Sequence, residues 1–592
     1  MIRRLFMFVI AVQVVGLALV AASAQVGNCP SRPAPGTPIT NPLDLYSQNG
    51  TLNVALALNN GLDSDGYTHD CYNYTTSGGT IEAPTLRLNP GDNLTLTLTN
   101  QLNLPANAAR MKHSMHMGAM KMGAMKTTKP PLDTSCNGGT ITENSTNLHF
   151  HGLNIPPVCH QDDVINTLIQ PTDPPFQYQI RIPANEPPGL YWYHPHPHGF
   201  TTNQVNGGAS GALIVSGIEN VKPQVAGLTE QVLLVRQQFL NPGSWLPGPY
   251  EMTLNFETVV TPPLHTLPLI VADPGEQQFW RVLNASTQAF VTLQLLYNGV
   301  PQNMELISID AVPVTGDPYV TTINIPPAGR AEFVMTGPSE GTNAIFVNQG
   351  FDTGPVGNVN PAQALASIIS SDDARKRNYH VPPKYRIPAA KVPPVTKPRF
   401  AGLANANVTA KRSLYFSEAT EGTNGPTNYF LTVSGQQPMV FNPALPPAIV
   451  TNVGAVEDWT IENHSSEEHA FHMHQIHFLV MEINRKALDP PVMQDTVLIP
   501  YWDGKSPYPS VKVRMDFRDP EIAGTFVYHC HVLDHEDGGM MAEIQVNPRV
   551  SNQCTVAFCN RPSRTHSLLR RAASRLPSAL SRAASVSRPN WL

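Results

Sequence analysis

Charge is scarce in this chain. Asp, Glu, Lys and Arg make up only 14% of its 592 residues, and their balance is −6. That excess of acid gives no reason to expect a nucleic-acid partner, whose phosphates would call for a basic surface. Helical periodicity is missing too: no long stretch repeats its apolar residues at the spacing of a helix face. Beyond the first two dozen residues there is no apolar run long enough to imply a stable membrane span. What the chain has in abundance is proline, 57 residues, with 41 glycines. Short β-rich runs broken by such turns indicate strands and loops. The length exceeds what one hydrophobic core can hold and implies about three or four domains.

The N-terminus reads as an export signal. Arg3 and Arg4 precede an apolar run from Leu5 to Val20, and Ala22-Ser23-Ala24 fits a small-x-small cleavage site. The mature chain is therefore expected to begin at Gln25 and to be periplasmic or extracellular, with the export pathway open. The seven cysteines agree with an oxidising compartment. Cys530 lies between two histidines and is assigned to a metal. Proximity suggests the pairs Cys136–Cys159 and Cys554–Cys559, which leaves Cys29–Cys71, although spacing alone does not fix connectivity.

Alternating segments such as LRLNPGDNLTLTLTN read as half-buried strands around turns. The same pattern recurs at 277–284, 331–336 and 455–463. The stretch 371–399, rich in proline and basic residues, reads as a linker. Three β-domains are expected, near 45–217, 226–370 and 400–548. Residues 561–592, with seven arginines and no acid, are expected to form a disordered basic tail.

Four short segments carry the chemistry: HFHG from His149, HPHPHG from His194, HAFHMH from His469 and HCHVLDHEDGGM from His529. Imidazole and thiolate suit copper, iron or zinc, whereas hard ions prefer carboxylates. Along a strand, residues i and i+2 share a face and i+1 takes the other. His149/His151, His194/His196, His472/His474 and His529/His531 can thus each offer two imidazoles to one cluster. Cys530 must then face away from it, towards a second metal. Two histidines and a cysteine with a weak axial methionine define a blue-copper centre. His535 and Met540 follow Cys530 at loop distances, and His469 can supply the second imidazole.

These segments resemble the four copper-binding motifs of the multicopper oxidase family, most closely its bacterial laccase-like and cuprous-oxidase members. The resemblance implies an all-β chain of three cupredoxin-like Greek-key domains and four copper ions. By that likeness type 1 copper takes His469, Cys530, His535 and Met540, and type 2 copper takes His149 and His472. The type 3 pair takes His151, His194, His196, His474, His529 and His531. His198 has no assigned role. Family members carry an acid soon after the first motif, and here Asp162 and Asp163 are both candidates. Glu536 resembles a second carboxylate near the cluster, where dioxygen reduction needs protons.

Between the first two motifs and the N-terminal strands lies MKHSMHMGAMKMGAM, residues 111–125, with six methionines and two histidines. Thioethers select Cu(I). Two reductant classes follow. Phenols and aromatic amines would make the chain a laccase, and Cu(I) would make it a cuprous oxidase. Dioxygen is the acceptor in both, and a monomer is favoured.

Overall fold

The computed structural model describes residues 29–62, 68–103, 136–239, 250–259, 266–389, 398–422, 425–505 and 507–549. The export signal, the methionine-rich stretch, the Cys554–Cys559 pair and the basic tail lie outside the described residues. Among the described residues no helix is long and apolar enough to cross a membrane.

The chain builds three pairs of sheets in sequence order. In the first pair, a five-stranded sheet contains Asp44–Tyr46, Thr85–Leu88, Gly211–Val215, Gly189–His194 and His149–His151. It faces a second five-stranded sheet that includes Thr51–Leu62, Asn93–Gln101 and Phe176–Arg181. The alternation in the sequence accounts for this layer. Along Asn93–Gln101 exposure alternates residue by residue, and Leu94, Leu96 and Leu98 are fully buried. Burying each leucine contributes about 1.5–3 kcal/mol. The middle pair, from Thr229 to Ile369, packs an eight-stranded sheet on a six-stranded one around Trp280 and Phe333. The third pair, from Ala410 to Asn547, packs a six-stranded sheet on a five-stranded one. The latter contains His469–Met473, Thr496–Ile499, Gly524–Cys530 and Met541–Asn547. The architecture is all-β, with three cupredoxin-like domains.

The proline-rich stretch 371–399 is more structured than a simple spacer. Its first residues form a helix, Ser371–Lys376, capped by the Ser370 side chain. Arg386 makes a β-bridge with Thr229. Arg399 is nearly buried, its guanidinium 3.5 Å from Glu186 of the first sheet pair and 2.7 Å from Asp519 of the third. Arg399, a basic residue of the expected linker, is thus held in long-range ion pairs.

Disulfides join Cys29 to Cys71 and Cys136 to Cys159, and Cys530 is a buried free thiol.

Candidate metal centre

Strand geometry aims the histidines. In His149–His151 the middle residue, Phe150, packs into the first domain's core against Tyr178, so both histidines face the other way. Antiparallel register sets His149 opposite His194. In the third domain it sets His472 opposite His529 and Phe471 opposite Cys530. Phe471 and Cys530 belong to the core of that domain, leaving His472 and His529 on the open face. The strict i, i+2 rule covers only part of the set. His196, His474 and His531 each lie just past a strand end, where the turning chain rather than the pleat places the ring.

Eight imidazoles converge between the first and third domains. Donor atoms of His149, His151 and His472 come within 4.8 Å of one another, and the same holds for His151, His194 and His531, and for His196, His474 and His529. All eight are buried. Hydrogen bonds fix which nitrogen of each ring faces inward. His149 Nδ1 lies 3.0 Å from the Asp162 carboxylate, leaving Nε2 free. His194 and His529 direct Nδ1 to the carbonyls of Pro195 and Cys530. His472 Nδ1 donates to the Asp495 carbonyl at 2.8 Å. His151 is turned the opposite way: its Nε2 lies 3.3 Å from Asp495 Oδ1 and its Nδ1 is free.

Whether this set suits copper can be judged from its unpartnered atoms. His149 Nε2, His151 Nδ1, His194 Nε2, His472 Nε2, His474 Nδ1 and both nitrogens of His531 are buried with no hydrogen-bond partner. His529 Nε2 lies 3.4 Å from His196 Nε2 and 3.2 Å from His474 Nε2. Lone pairs so placed, in a site that excludes water, are satisfied by a cation. Burial holds His151, His194, His196, His472, His474 and His531 far below their usual pKa, and His529 at about 3. Neutral imidazole is the form that binds metal. The residues fit.

A second donor set lies behind the first. Cys530 Sγ is 3.5 Å from His469 Nδ1 and 3.8 Å from His535 Nδ1, and those two nitrogens are 3.2 Å apart. The outer nitrogens are held elsewhere: His469 Nε2 by Ser465 Oγ at 2.7 Å, His535 Nε2 beside Glu467 at 3.2 Å. Burial raises the Cys530 thiol far above its ordinary range, so a thiolate here requires a cation beside it. Met540 is fully buried in the same core, and its backbone is tied to both Cys530 and His535.

The carboxylates separate by position. Asp162 bonds His149, the Phe150 amide and the Gln475 side chain. Asp163 instead accepts from the amide and side chain of Asn166, closing its own turn. Glu536 has one oxygen 3.6 Å from His196 Nε2 and the other 3.2 Å from His529 Nδ1. Burial first, and then the charge of Asp537, push its pKa well above the carboxylate range. His198, half-buried beside Phe441, stays outside both donor sets, and desolvation of its ring lowers it to about 4.

Three groups of residues have roles that the sequence reading did not assign. Asp495, Asp310 and Arg330 form a buried network under His151 and His472. Asp537 reaches across to cap the helix Thr201–Gly207 that follows the second histidine motif. Glu418 and Glu467 stand over His469 and His535. Asp537 lies inside the fourth histidine segment, but its partners, Gly199, Thr201 and Thr202, are far away in the chain, and no motif marks the others.

Two multicopper oxidase family profiles match, over residues 140–220 and 414–550. They cover the first two and the last two histidine segments. A laccase of Haloferax volcanii is 24% identical over 434 residues, covering 70% of this chain and 69% of its own. A multicopper oxidase of Staphylococcus haemolyticus is 22% identical over 513 residues, covering 84% and 89%. Among solved structures, a Campylobacter jejuni multicopper oxidase superposes with a TM-score of 0.59 at 19% identity, covering 87% of this chain and 96% of that one. These matches support the multicopper oxidase family.

Proposed function

We propose that this chain is a laccase-like oxidase that takes electrons singly from phenols and aromatic amines and delivers them to dioxygen. One observation carries the reading: two buried donor sets of different chemistry, joined through Cys530, which belongs to one and is bonded to His529 and His531 of the other. His469, Cys530, His535 and Met540 would hold type 1 copper, and His149 and His472 type 2 copper. His151, His194 and His531 would hold one type 3 ion, and His196, His474 and His529 the other, which makes four ions in all. When bound, copper supplies one-electron redox chemistry at the cysteine site and dioxygen reduction at the histidine cluster.

The protein's own part is placement and protons. The peptide bonds flanking Cys530 form the shortest covalent path between the sites. Glu536, whose pKa burial raises, has a carboxyl oxygen 3.2 Å from His529, and Asp162 orients His149 from the opposite side. Both are suited to relay protons to the reduction site. The segment boundaries 45–217, 226–370 and 400–548 serve as domain limits in this reading. We place the mature chain outside the cytoplasm, supported by the N-terminal signal pattern and the two disulfides.

The test is oxygen uptake by copper-loaded protein with a phenol and with Cu(I), wild type against a deletion of 111–125. Phenol-driven uptake that survives the deletion is the expected result. Absence of phenol-driven uptake, with Cu(I) oxidised and its KM raised by the deletion, would replace the laccase reading with the cuprous-oxidase one.

A further inference from the structure

The middle domain contributes no histidine to either donor set, yet one of its side chains reaches the wall of the cluster. Arg330, on the strand Arg330–Thr336, is completely buried, and its guanidinium grips Asp495 of the third domain with two bonds, Nη1 to Oδ1 at 2.7 Å and Nη2 to Oδ2 at 2.5 Å. Its own position is fixed three further ways. Nε donates to the Leu190 carbonyl at 3.1 Å, Nη1 to Ala328 at 3.2 Å, and its amide to Asp310 Oδ1 at 2.8 Å. Asp310 in turn accepts the amides of Asp495 and Thr496 with its other oxygen, at 3.2 and 3.3 Å. The backbone and the side chain of Asp495 are thus both clamped from the middle domain.

That matters because Asp495 touches two of the cluster histidines in different ways. Its carboxylate lies 3.3 Å from His151 Nε2, which leaves Nδ1 facing the cluster. Its carbonyl accepts from His472 Nδ1, which leaves Nε2 facing the cluster. The two rings stack at 3.9 Å with opposite nitrogens presented, an arrangement that neither ring would hold by itself. The close fit extends to Gly152. A Cβ there would lie 2.7 Å from Arg330 Nη2 and 2.8 Å from Asp495 Oδ2.

We propose that Arg330 is a positioning residue for the histidine cluster: through Asp495 it sets the ring orientation and tautomer of His151 and His472. A bidentate fork suits the task, since it fixes the plane of the carboxylate as well as its distance. The proposal rests on the copper reading above, so its test separates the two.

Apo-protein is titrated with Cu(II) alone, and after dialysis bound copper is counted by elemental analysis. The blue absorption of the Cys530 site and the type 2 electron paramagnetic resonance signal are recorded on the same samples. Arg330→Met should keep the blue absorption while cluster copper binds about 10–100-fold more weakly with an altered type 2 signal, the range typical when a partner behind a metal ligand is lost. Arg330→Lys should recover part of the affinity, because it restores charge without the fork. Arg281→Met, which removes another buried arginine of the middle domain whose partners are Glu230 and Glu332, should leave both signals unchanged. Should Arg330→Met yield no soluble protein, Asp495→Asn keeps the side-chain volume and is expected to give the same cluster-specific loss. Wild-type copper affinity and an unchanged type 2 signal in Arg330→Met or Asp495→Asn would overturn the proposal, as would an equal loss in Arg281→Met. A wild type that binds no copper at the histidines would instead overturn the reading of the site itself.

Discussion

Replacing Asp537 with alanine would remove an acceptor that three backbone amides share. Its Oδ1 receives the Gly199 and Thr201 N–H groups at 2.9 and 3.2 Å, and its Oδ2 receives Thr202 at 2.8 Å. These amides open the helix Thr201–Gly207, whose N-cap, Phe200, supplies no side-chain bond. A bond to a charged acceptor contributes about 1.5–3 kcal/mol and loss of a cap costs about 0.5–2. Burial works against the gain: it pushes Asp537 up to about 7, so the carboxylate is only partly ionised at neutral pH. The net cost of Asp537→Ala should be about 3 kcal/mol. At about 2–4 °C per kcal/mol for domain-sized units, that is a fall in Tm of about 6–12 °C. Asp537→Asn keeps a carbonyl acceptor and should resemble wild type more closely at pH 6, where the native acid is mostly protonated, than at pH 8. Calorimetry of the metal-free protein at both pH values is the assay. If Asp537→Ala melts within about 1 °C of wild type at both, the amides have other partners and the cap is not what secures this helix.

Cys530→Ser should abolish the blue absorption and oxidase turnover while copper remains at the histidines, measured by optical spectroscopy and metal analysis; a variant that stays blue would refute the type 1 assignment. Gly152→Ala should be costly, because φ is +89° and the new methyl would meet Arg330 and Asp495 below 3 Å. About 1–2 kcal/mol of backbone strain adds to that overlap, and denaturant unfolding close to wild type would contradict it. Metal-free stability should peak near pH 6–7. Buried histidines such as His69, His529 and His535, lowered to about 3, add stability above 6.5 that is lost as pH falls towards 3. Buried acids such as Glu82, raised to about 8, stabilise the fold at low pH and lose that contribution as pH climbs to 8. A stability that rises steadily from pH 6 to 9 would refute this balance.

How far the sequence could be read depended on whether a partner was local. Alternation along Asn93–Gln101 announced a half-buried strand because the period-2 pattern is carried by the strand itself. The turn of Cys530 away from His529 followed from pleating in the same manner, whereas His531 lies past the strand end. The choice between Asp162 and Asp163 did not, since adjacent residues differ only in where a turn sends them: one meets His149, the other Asn166. Arg330 and Asp495 were invisible for a stronger reason. They are 165 residues apart, and each alone looks like an ordinary charged residue. The stretch 371–399 reads as a linker from its proline and basic residues, but the buried pairing of Arg399 was not legible there, because it depends on acids supplied from elsewhere.

The two donor sets also differ in the length of chain each must bring together. His469 and His535, which meet beside Cys530, are 66 residues apart and lie in one domain. His196 and His529 are separated by 333 residues. A chain severed between the first and third domains still carries every donor of the cysteine site, whereas no fragment short of both ends carries the cluster. Colour is thus a local readout and oxygen reduction a global one. A preparation that is blue but inert towards oxygen would point first to failed closure between the distant ends, before any loss of a ligand.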